Sequence, residues 1–368
     1  MDFQDWKRHV SSTLSLASDL FTVVRLEGGY LNSTIRLELL RDLPDFPESI
    51  PHLAGQRSLV LKHYPGYMYA WPEAQLSTAR AAIEAKALRM MRDNALIREA
   101  FQEQGVSVPS LVHFDESNNV LWMEDFGPRS TMESGLEKLS TDVSSRLGKA
   151  LAGLHIATMP MNKHLTVEPM AGPLALAEHE ARMRNILKDE LDVDGLMESL
   201  CMKHSPIIGL PHGDVRDDEL CLGLGDIWPS SVLLLDDSSS PRLGIIDWEF
   251  FGPLHPASEL ATVTARLYIS YLGQGLQEAF EDIARAFVCG YMEIFQESKH
   301  GSLVSRVSWS DRAAAAWARV LLNALVRAQG EDGNRWNAQM MGNIRSQAVR
   351  LLRRQVDDPI LRLVCAIG

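Results

Sequence analysis

The chain has 368 residues and a mass of 41.0 kDa, a length that predicts two domains or one large bilobal unit. Hydrophobic residues make up 46% and charged residues 23%, a globular balance that excludes a largely disordered chain, a collagen-like repeat and a disulfide framework. Lys and Arg number 36 against 48 Asp and Glu, a net charge of −12; such a surface repels phosphate backbones and anionic lipid, so the expected partner is a small molecule, not nucleic acid or a membrane.

In chain order, residues 1–12 carry early acidic residues and no apolar run, so no signal peptide is read there. Apolar positions Phe3, Trp6, Val10, Leu14, Leu16 and Leu20 predict a leading helix over 3–20. Residues 21–26 and 35–40 read as strands. Between them Glu27-Gly28-Gly29-Tyr30-Leu31-Asn32-Ser33-Thr34 is a glycine-led turn, long enough for a hairpin with an open tip. A polar, proline-bearing loop at 41–56 precedes a third strand at 58–63. A Pro/Gly/aromatic loop is expected at 65–75, then a helix over 77–94 with Ser77 as N-cap. Residues 111–115 and 120–124 form a hairpin turning at Ser117-Asn118-Asn119. Gly127-Pro128 then breaks the chain, which divides it into 1–125 and 126–368. A helix follows at 139–158, one or two more at 174–201, short β runs at 231–236 and 243–247, and helices from 256 nearly to the end, with loops near 297–308 and 330–333. No stretch of about 18 residues is apolar and uncharged, so no membrane span is read. Four cysteines (Cys201, Cys221, Cys289, Cys365) are widely spaced and form no Cys-x-x-Cys pair. They read as idle thiols in a reducing compartment, and the expected location is cytoplasmic. Sequence alone leaves the oligomeric state open.

The most informative stretch is Leu224-Gly225-Asp226-Ile227-Trp228-Pro229-Ser230-Ser231-Val232-Leu233-Leu234, with Gly244-Ile245-Ile246-Asp247-Trp248-Glu249-Phe250 after it. Asp226 and Ser231 lie five apart on one tight loop, and Asp247 follows 21 residues after Asp226. A hairpin places all three at one end of a small sheet. Phosphoryl transfer needs such a layout: one carboxylate accepts the hydroxyl proton while others hold the magnesium that bridges the phosphates. Lys62, near the end of an apolar strand, can reach nucleotide phosphates, and Glu84 on the following helix is its natural ion-pair partner. The Gly28-Gly29 turn lets backbone amides approach phosphate closely. Strand 120–124 with Asp125-Phe126-Gly127 offers an edge and hinge suited to an adenine ring.

In this order the set resembles the aminoglycoside phosphotransferase / choline kinase-like family, the small-molecule branch of the protein-kinase-like fold. The resemblance runs from about residue 20 to about residue 265 through EGGYLN, LVLKHY, AIEAKAL, VLWMEDFG, LGKALAGLH, GDIWPSSVLL and IIDWEF. It implies an α+β, bilobal protein-kinase-like fold, with a small antiparallel β-sheet N-lobe and a mainly helical C-lobe that builds the acceptor pocket. It implies Asp226 as catalytic base; Asp247, Ser231 and Glu249 as ligands of Mg2+; and Lys62 with Glu84 as the phosphate-binding pair. Gly28, Gly29, Asn32 and Ser33 fall on the nucleotide loop, and Met123, Glu124 and Phe126 on the adenine hinge. The wording is most similar to fungal methylthioribose kinase-like and hydroxytryptamine kinase-like members, which implies a metabolite alcohol or phenol as acceptor and ATP as donor.

Three departures stand out. The family loop usually begins His-Gly-Asp, where this chain has Leu224-Gly225-Asp226. Its usual metal-ligand asparagine is Ser231, and Glu259 stands where the family usually has aspartate. A literal His212-Gly213-Asp214 lies 33 residues before Asp247, and Asp214 stays as the alternative base. The acidic run Asp214, Asp217, Asp218 and Glu219 reads as a solvated loop. His155 reads as a satisfied core histidine, and Trp228, Trp248, Trp317 and Trp336 as packing residues. For the last two, the alternative is an aromatic wall facing the acceptor. The expected activity is ATP- and magnesium-dependent transfer to a small-molecule hydroxyl. The rival is a catalytically degenerate kinase-like module that binds nucleotide or a partner.

Overall fold

A computed structural model describes residues 1–27, 29, 31–40, 56–164, 173–200, 217–236, 238, 240–299, 301, 304, 306–328, 336–355 and 359–365. Gly28 and the His212-Gly213-Asp214 alternative lie outside the described residues.

The leading helix, Phe3–Leu14, starts at a reciprocal cap: Asp2 Oδ1 accepts from the Asp5 amide at 2.8 Å and Asp5 Oδ2 from the Asp2 amide at 3.0 Å. It buries Trp6, Val10 and Leu14, one helical face. It ends earlier than residue 20 because Ser15 turns left-handed, with φ 54°. That face lies on a five-stranded sheet with the order Phe21–Arg25, Ser33–Leu39, Ser58–His63, Val120–Glu124, Leu111–Asp115, all antiparallel. Strand alternation sorts the two faces. Ile35, Leu37, Leu59, Leu61, Val120 and Trp122 pack under the leading helix. Leu121 and Met123 face the larger core, with Ala81, Ala85 and Leu88 of helix Ala79–Asp93.

Two details differ from the sequence reading. Part of the 65–75 loop is a two-stranded hairpin, Tyr67–Met68 with Trp71–Gln75. Pro72 is tolerated because a two-stranded ribbon consists only of edges. The expected cap Ser77 is one step early: Thr78 is the N-cap and makes no side-chain cap bond, while Ser77 Oγ accepts from the Ala79 amide at 3.2 Å. A further helix, Ala95–Glu103, was not read; Asn94 caps it by accepting from the Ile97 amide at 3.3 Å.

Beyond the sheet the chain is mainly helical: Thr141–Thr158, Pro173–Leu187, Val193–Ser199, Pro256–Gln274, Gln277–Glu297, Arg306–Ala328, Ala338–Leu352 and Pro359–Cys365. Two small β elements sit among these helices. Val232–Leu234 pairs with Leu243–Ile245, flanked by Ser130–Thr131 and Val106–Ser107. Cys221–Gly223 pairs with Gly252–Leu254. The loop 224–231 is therefore anchored by a strand at each end. No helix among the described residues is long and apolar enough to cross a membrane.

Thr141–Thr158 and Gln277–Glu297 cross closely through two glycines. A Cβ on Gly148 would lie 2.1 Å from the Phe287 carbonyl oxygen, and one on Gly290 would lie 2.3 Å from that of Ser145. Both obstacles are backbone and cannot rotate away. Gly148→Ala is expected to cost about 1–3 kcal/mol through overpacking, more than the roughly 1 kcal/mol alanine gains in a helix. Thermal denaturation should show a melting point several degrees lower; an unchanged midpoint would mean that the helices have room to part.

Candidate active site

Lys62 lies opposite Thr34 and Leu121 in the sheet, on the face away from the leading helix. Its ammonium donates to Glu84 Oε2 at 2.9 Å and to Asp247 Oδ1. Three elements thus meet at one nitrogen: a sheet strand, helix Ala79–Asp93 and the turn after strand Leu243–Ile245. Tyr64, two residues on and therefore on the same strand face, donates its hydroxyl to Glu84 Oε2. Glu84 Oε1 accepts from the Trp248 amide at 3.2 Å. Burial pushes the Lys62 ammonium toward neutrality, but the carboxylates of Asp247, Glu249 and Glu84 outweigh it and hold its pKa above the ordinary lysine value.

Asp247 has φ 71°, a left-handed backbone that Asp tolerates better than most residues but which still costs about 1–2 kcal/mol. The Glu84 bond to the next amide holds this turn. The Asp247 side chain is 35% exposed. Ser231 ends the short turn Pro229–Ser231, and its carbonyl accepts from the Ile246 amide at 3.0 Å. The hairpin thereby brings Ser231 beside Asp247.

Glu249 is placed differently. Its Oε2 accepts from Arg80 at 2.6 Å and from Asn32 Nδ2 at 2.8 Å, and its side chain is 1% exposed. Burial raises the Glu249 carboxyl pKa above its ordinary value, with Lys62 and Arg80 opposing the rise. Magnesium takes hard oxygen donors and keeps several waters. The open carboxylate of Asp247 fits such an ion, and Ser231 offers a hydroxyl of the right type although it is buried; Glu249, with Oε2 taken by Arg80 and Asn32, fits less well.

Asp226 stands on the loop 224–231. Its carboxylate accepts from Arg266, and from Trp228 Nε1 at 3.3 Å. Arg266 also donates to the Ile227 carbonyl at 2.7 Å, and it stacks on the Trp228 ring at 4.0 Å, with Arg327 at 4.5 Å from the same ring centroid. Beneath the loop, Glu259 Oε1 accepts from the Gly225 amide at 2.7 Å, and its Oε2 bonds His155 Nε2 at 2.7 Å. His155 Nδ1 bonds the Tyr291 hydroxyl at 2.7 Å. Both ring nitrogens are satisfied in a buried site, as expected of a core histidine. Leu224, in place of histidine, is fully buried in the core.

The other expected positions divide. Gly29, Asn32 and Thr34 line a cavity of about 350 Å³ with Arg25, Leu26 and Glu27. Ser33 faces the other way: its hydroxyl accepts from Trp6 Nε1 at 3.2 Å, under the leading helix. One residue of strand separates the two faces, so Thr34 takes the Lys62 side in its place. Met123 is packed in the core, Glu124 Oε2 accepts from the Ser110 amide at 3.1 Å, and Phe126 lies against Gly244. Asp125, read from sequence only as part of the hinge segment, binds Arg36 at 2.6 Å, Ser58 Oγ and the Gly127 amide. Burial pushes the Asp125 carboxyl up, but these bonds outweigh it and hold its pKa below the ordinary carboxylate value. Trp248 and Trp317 are core residues. Glu219, expected in a solvated loop, is buried and accepts from Ser308 Oγ at 3.3 Å.

Arg80 and Arg266 were also missed. Arg80 is four residues before Glu84, on the same helix face, and Arg266 is a lone charge within the apolar run Leu260–Leu267. Both signals were available.

A sequence profile of the phosphotransferase enzyme family (APH) matches residues 22–288. The chain is 25% identical over 264 residues to a 4-hydroxytryptamine kinase of Psilocybe cubensis, covering 67% of each chain. The fold is similar to a choline kinase from Cryptosporidium parvum Iowa II, with TM-score 0.55, 10% identity and 98% of each chain covered. It is also similar to a thermostable mutant of aminoglycoside phosphotransferase APH(4)-Ia in ternary complex with AMP-PNP and hygromycin B. That match has TM-score 0.51 and 13% identity, and covers 96% of this chain and 99% of the other.

Lys62 neutralises a buried cluster of acids, so Lys62→Met should destabilise the fold by about 3–5 kcal/mol near neutral pH. Orphaned carboxylates have raised folded-state pKa values, the native state then binds more protons, and stability rises as pH falls. The deficit against wild type should shrink between pH 8 and pH 5 in denaturant titrations; a pH-independent deficit would contradict the charge argument.

Proposed function

The chain belongs to the phosphotransferase enzyme family, and from that premise we propose that it moves the γ-phosphoryl group of ATP to the hydroxyl of a small metabolite. The observation that carries this reading is the convergence of Lys62, Glu84 and Asp247 at one cleft, with Asp226 on the loop that runs into Ser231. We place the division between the two lobes after residue 125.

In this reading Asp226 accepts the acceptor's proton as its oxygen attacks the γ-phosphorus and the bond to the bridging oxygen of the ADP product breaks. Arg266 and Trp228 hold the Asp226 carboxylate, which fixes its direction. Lys62, steadied by Glu84, sets a positive charge against the nucleotide phosphates. Amides of the turn around Gly29 cover the phosphates further out. Asp247 and Ser231 would hold magnesium, which would supply charge neutralisation at the phosphates. Most of the acceleration then comes from positioning and electrostatics. For the acceptor we propose an aromatic or aliphatic alcohol of metabolite size, the class to which 4-hydroxytryptamine belongs.

Asp226→Asn should lower kcat by about 10²–10⁴-fold, the range of general-base catalysis, with ATP affinity retained in calorimetry. Turnover close to wild type would move the base elsewhere, Asp214 being the next candidate. Separately, Mg·ATP at about 100 times its dissociation constant should add about 2.7 kcal/mol of stability, several degrees in a thermal melt. A magnesium-dependent rise justifies screening phenols, amino alcohols and sugars as acceptors. No rise in a folded sample would favour the non-transferring module.

A further inference from the structure

Arg80 carries the only buried guanidinium on helix Ala79–Asp93, and it is fully enclosed. Its Nε donates to the Ser77 carbonyl at 3.0 Å, one terminal nitrogen to the Pro65 carbonyl at 3.2 Å, and the other to Asn32 Oδ1 at 2.9 Å and Glu249 Oε2 at 2.6 Å. Asn32 Nδ2 closes the triangle onto the same Glu249 oxygen at 2.8 Å. The cluster joins the turn before the second strand, the start of the helix and the segment after Asp247. A charge this deep persists only if paired and hydrogen-bonded, so the three side chains must be held together or not buried at all.

We propose that Arg80 is a positioning residue, and that Glu249 serves as the anchor of an Arg80–Asn32 clamp on the nucleotide turn and not as a magnesium ligand. The metal is then carried by Asp247 and Ser231 alone. Exposure separates the two acids: the Asp247 side chain is 35% exposed and that of Glu249 is 1%. A hydrated ion reaches the first from the cleft, whereas the second is a buried carboxylate with Oε2 already taken by Arg80 and Asn32. The clamp fixes Asn32, and through it the backbone of the adjoining turn, in the place where the phosphates would lie. The metal half of this inference rests on the phosphotransferase reading; the clamp itself does not.

Two measurements on the full chain test it. In calorimetry of ATP binding at graded free magnesium, Asp247→Asn should raise the half-saturating magnesium at least tenfold. Glu249→Gln should leave it within twofold while weakening ATP about tenfold, a split that general destabilisation does not produce. A tenfold rise in half-saturating magnesium for Glu249→Gln would overturn the proposal. In nucleotide-free protein, amide hydrogen exchange at Ser33 and Thr34 should quicken about tenfold in Arg80→Met. Asn32→Ala, which spares the buried ion pair, should do the same if Arg80→Met fails to fold. Unchanged exchange in Asn32→Ala would also overturn the clamp. If wild type itself shows no magnesium-dependent ATP binding, the phosphotransferase reading and the metal assignment fail together, and the exchange result alone decides the clamp.

Discussion

One buried ammonium decides how the parts of this chain meet. Lys62 sits where a sheet strand, a helix and the segment after strand Leu243–Ile245 converge, and its neighbours Glu84 and Asp247 come from the other two elements. A lone charge there would cost several kcal/mol in lost hydration. Placing either acid without the lysine would cost as much. The three elements are therefore coupled: each is stable at that spot only if the other two are present. Arg80 extends the same logic to Glu249 and Asn32. Two cations then face three acids, which leaves the cluster one positive charge short of balance.

The second constraint lies under the loop bearing Asp226. The family pattern leads the sequence reader to a histidine where Leu224 stands, and the packed leucine supplies no polar support. The support comes instead from Glu259, whose two oxygens reach the Gly225 amide and His155. Glutamate is one methylene longer than aspartate, and the space it needs is made by Gly223. A Cβ there would lie 2.3 Å from Glu259 Oε2. Gly225 contributes in another way, with φ 72° at the bend before Asp226. The departures at 224 and 259 and the glycine at 223 thus belong together, as parts of one local packing solution.

Elements with a clear period were legible from sequence. Strand Ser58–His63 and the hairpin Leu111–Asp115 with Val120–Glu124 appear with the bounds read from alternation and turn residues. Less regular stretches were misread. The 67–75 hairpin carries Pro72 and too few buried positions to show a period, and helix Ala95–Glu103 directly follows another, so its cap at Asn94 was taken for an end. Among the candidate site residues, motif order singled out Lys62, Glu84 and Asp247, and the fold brings the three side chains together. Ser33 was read on the nucleotide loop with no face assigned, because a loop motif carries no register, and its hydroxyl lies under the leading helix. Tyr64 and Arg80 obey simple periodicities from Lys62 and Glu84, yet neither belongs to a motif, and only their burial makes them conspicuous.

The sequence by itself determined the class of this protein: the sheet-then-helices layout, the family to which it belongs, and the chemical type of each group offered to the cleft. These follow from local periods, turn residues and motif spacing, which are properties of neighbours along the chain. Tertiary structure alone decided which acids remain open and which are neutralised. Asp247 and Glu249 lie two residues apart and look equivalent in the sequence, yet one faces the cleft and the other is enclosed by Arg80 and Asn32. That difference depends on which cations fold against them from 169 to 185 residues away, and burial multiplies the strength of those contacts because water is no longer there to screen them.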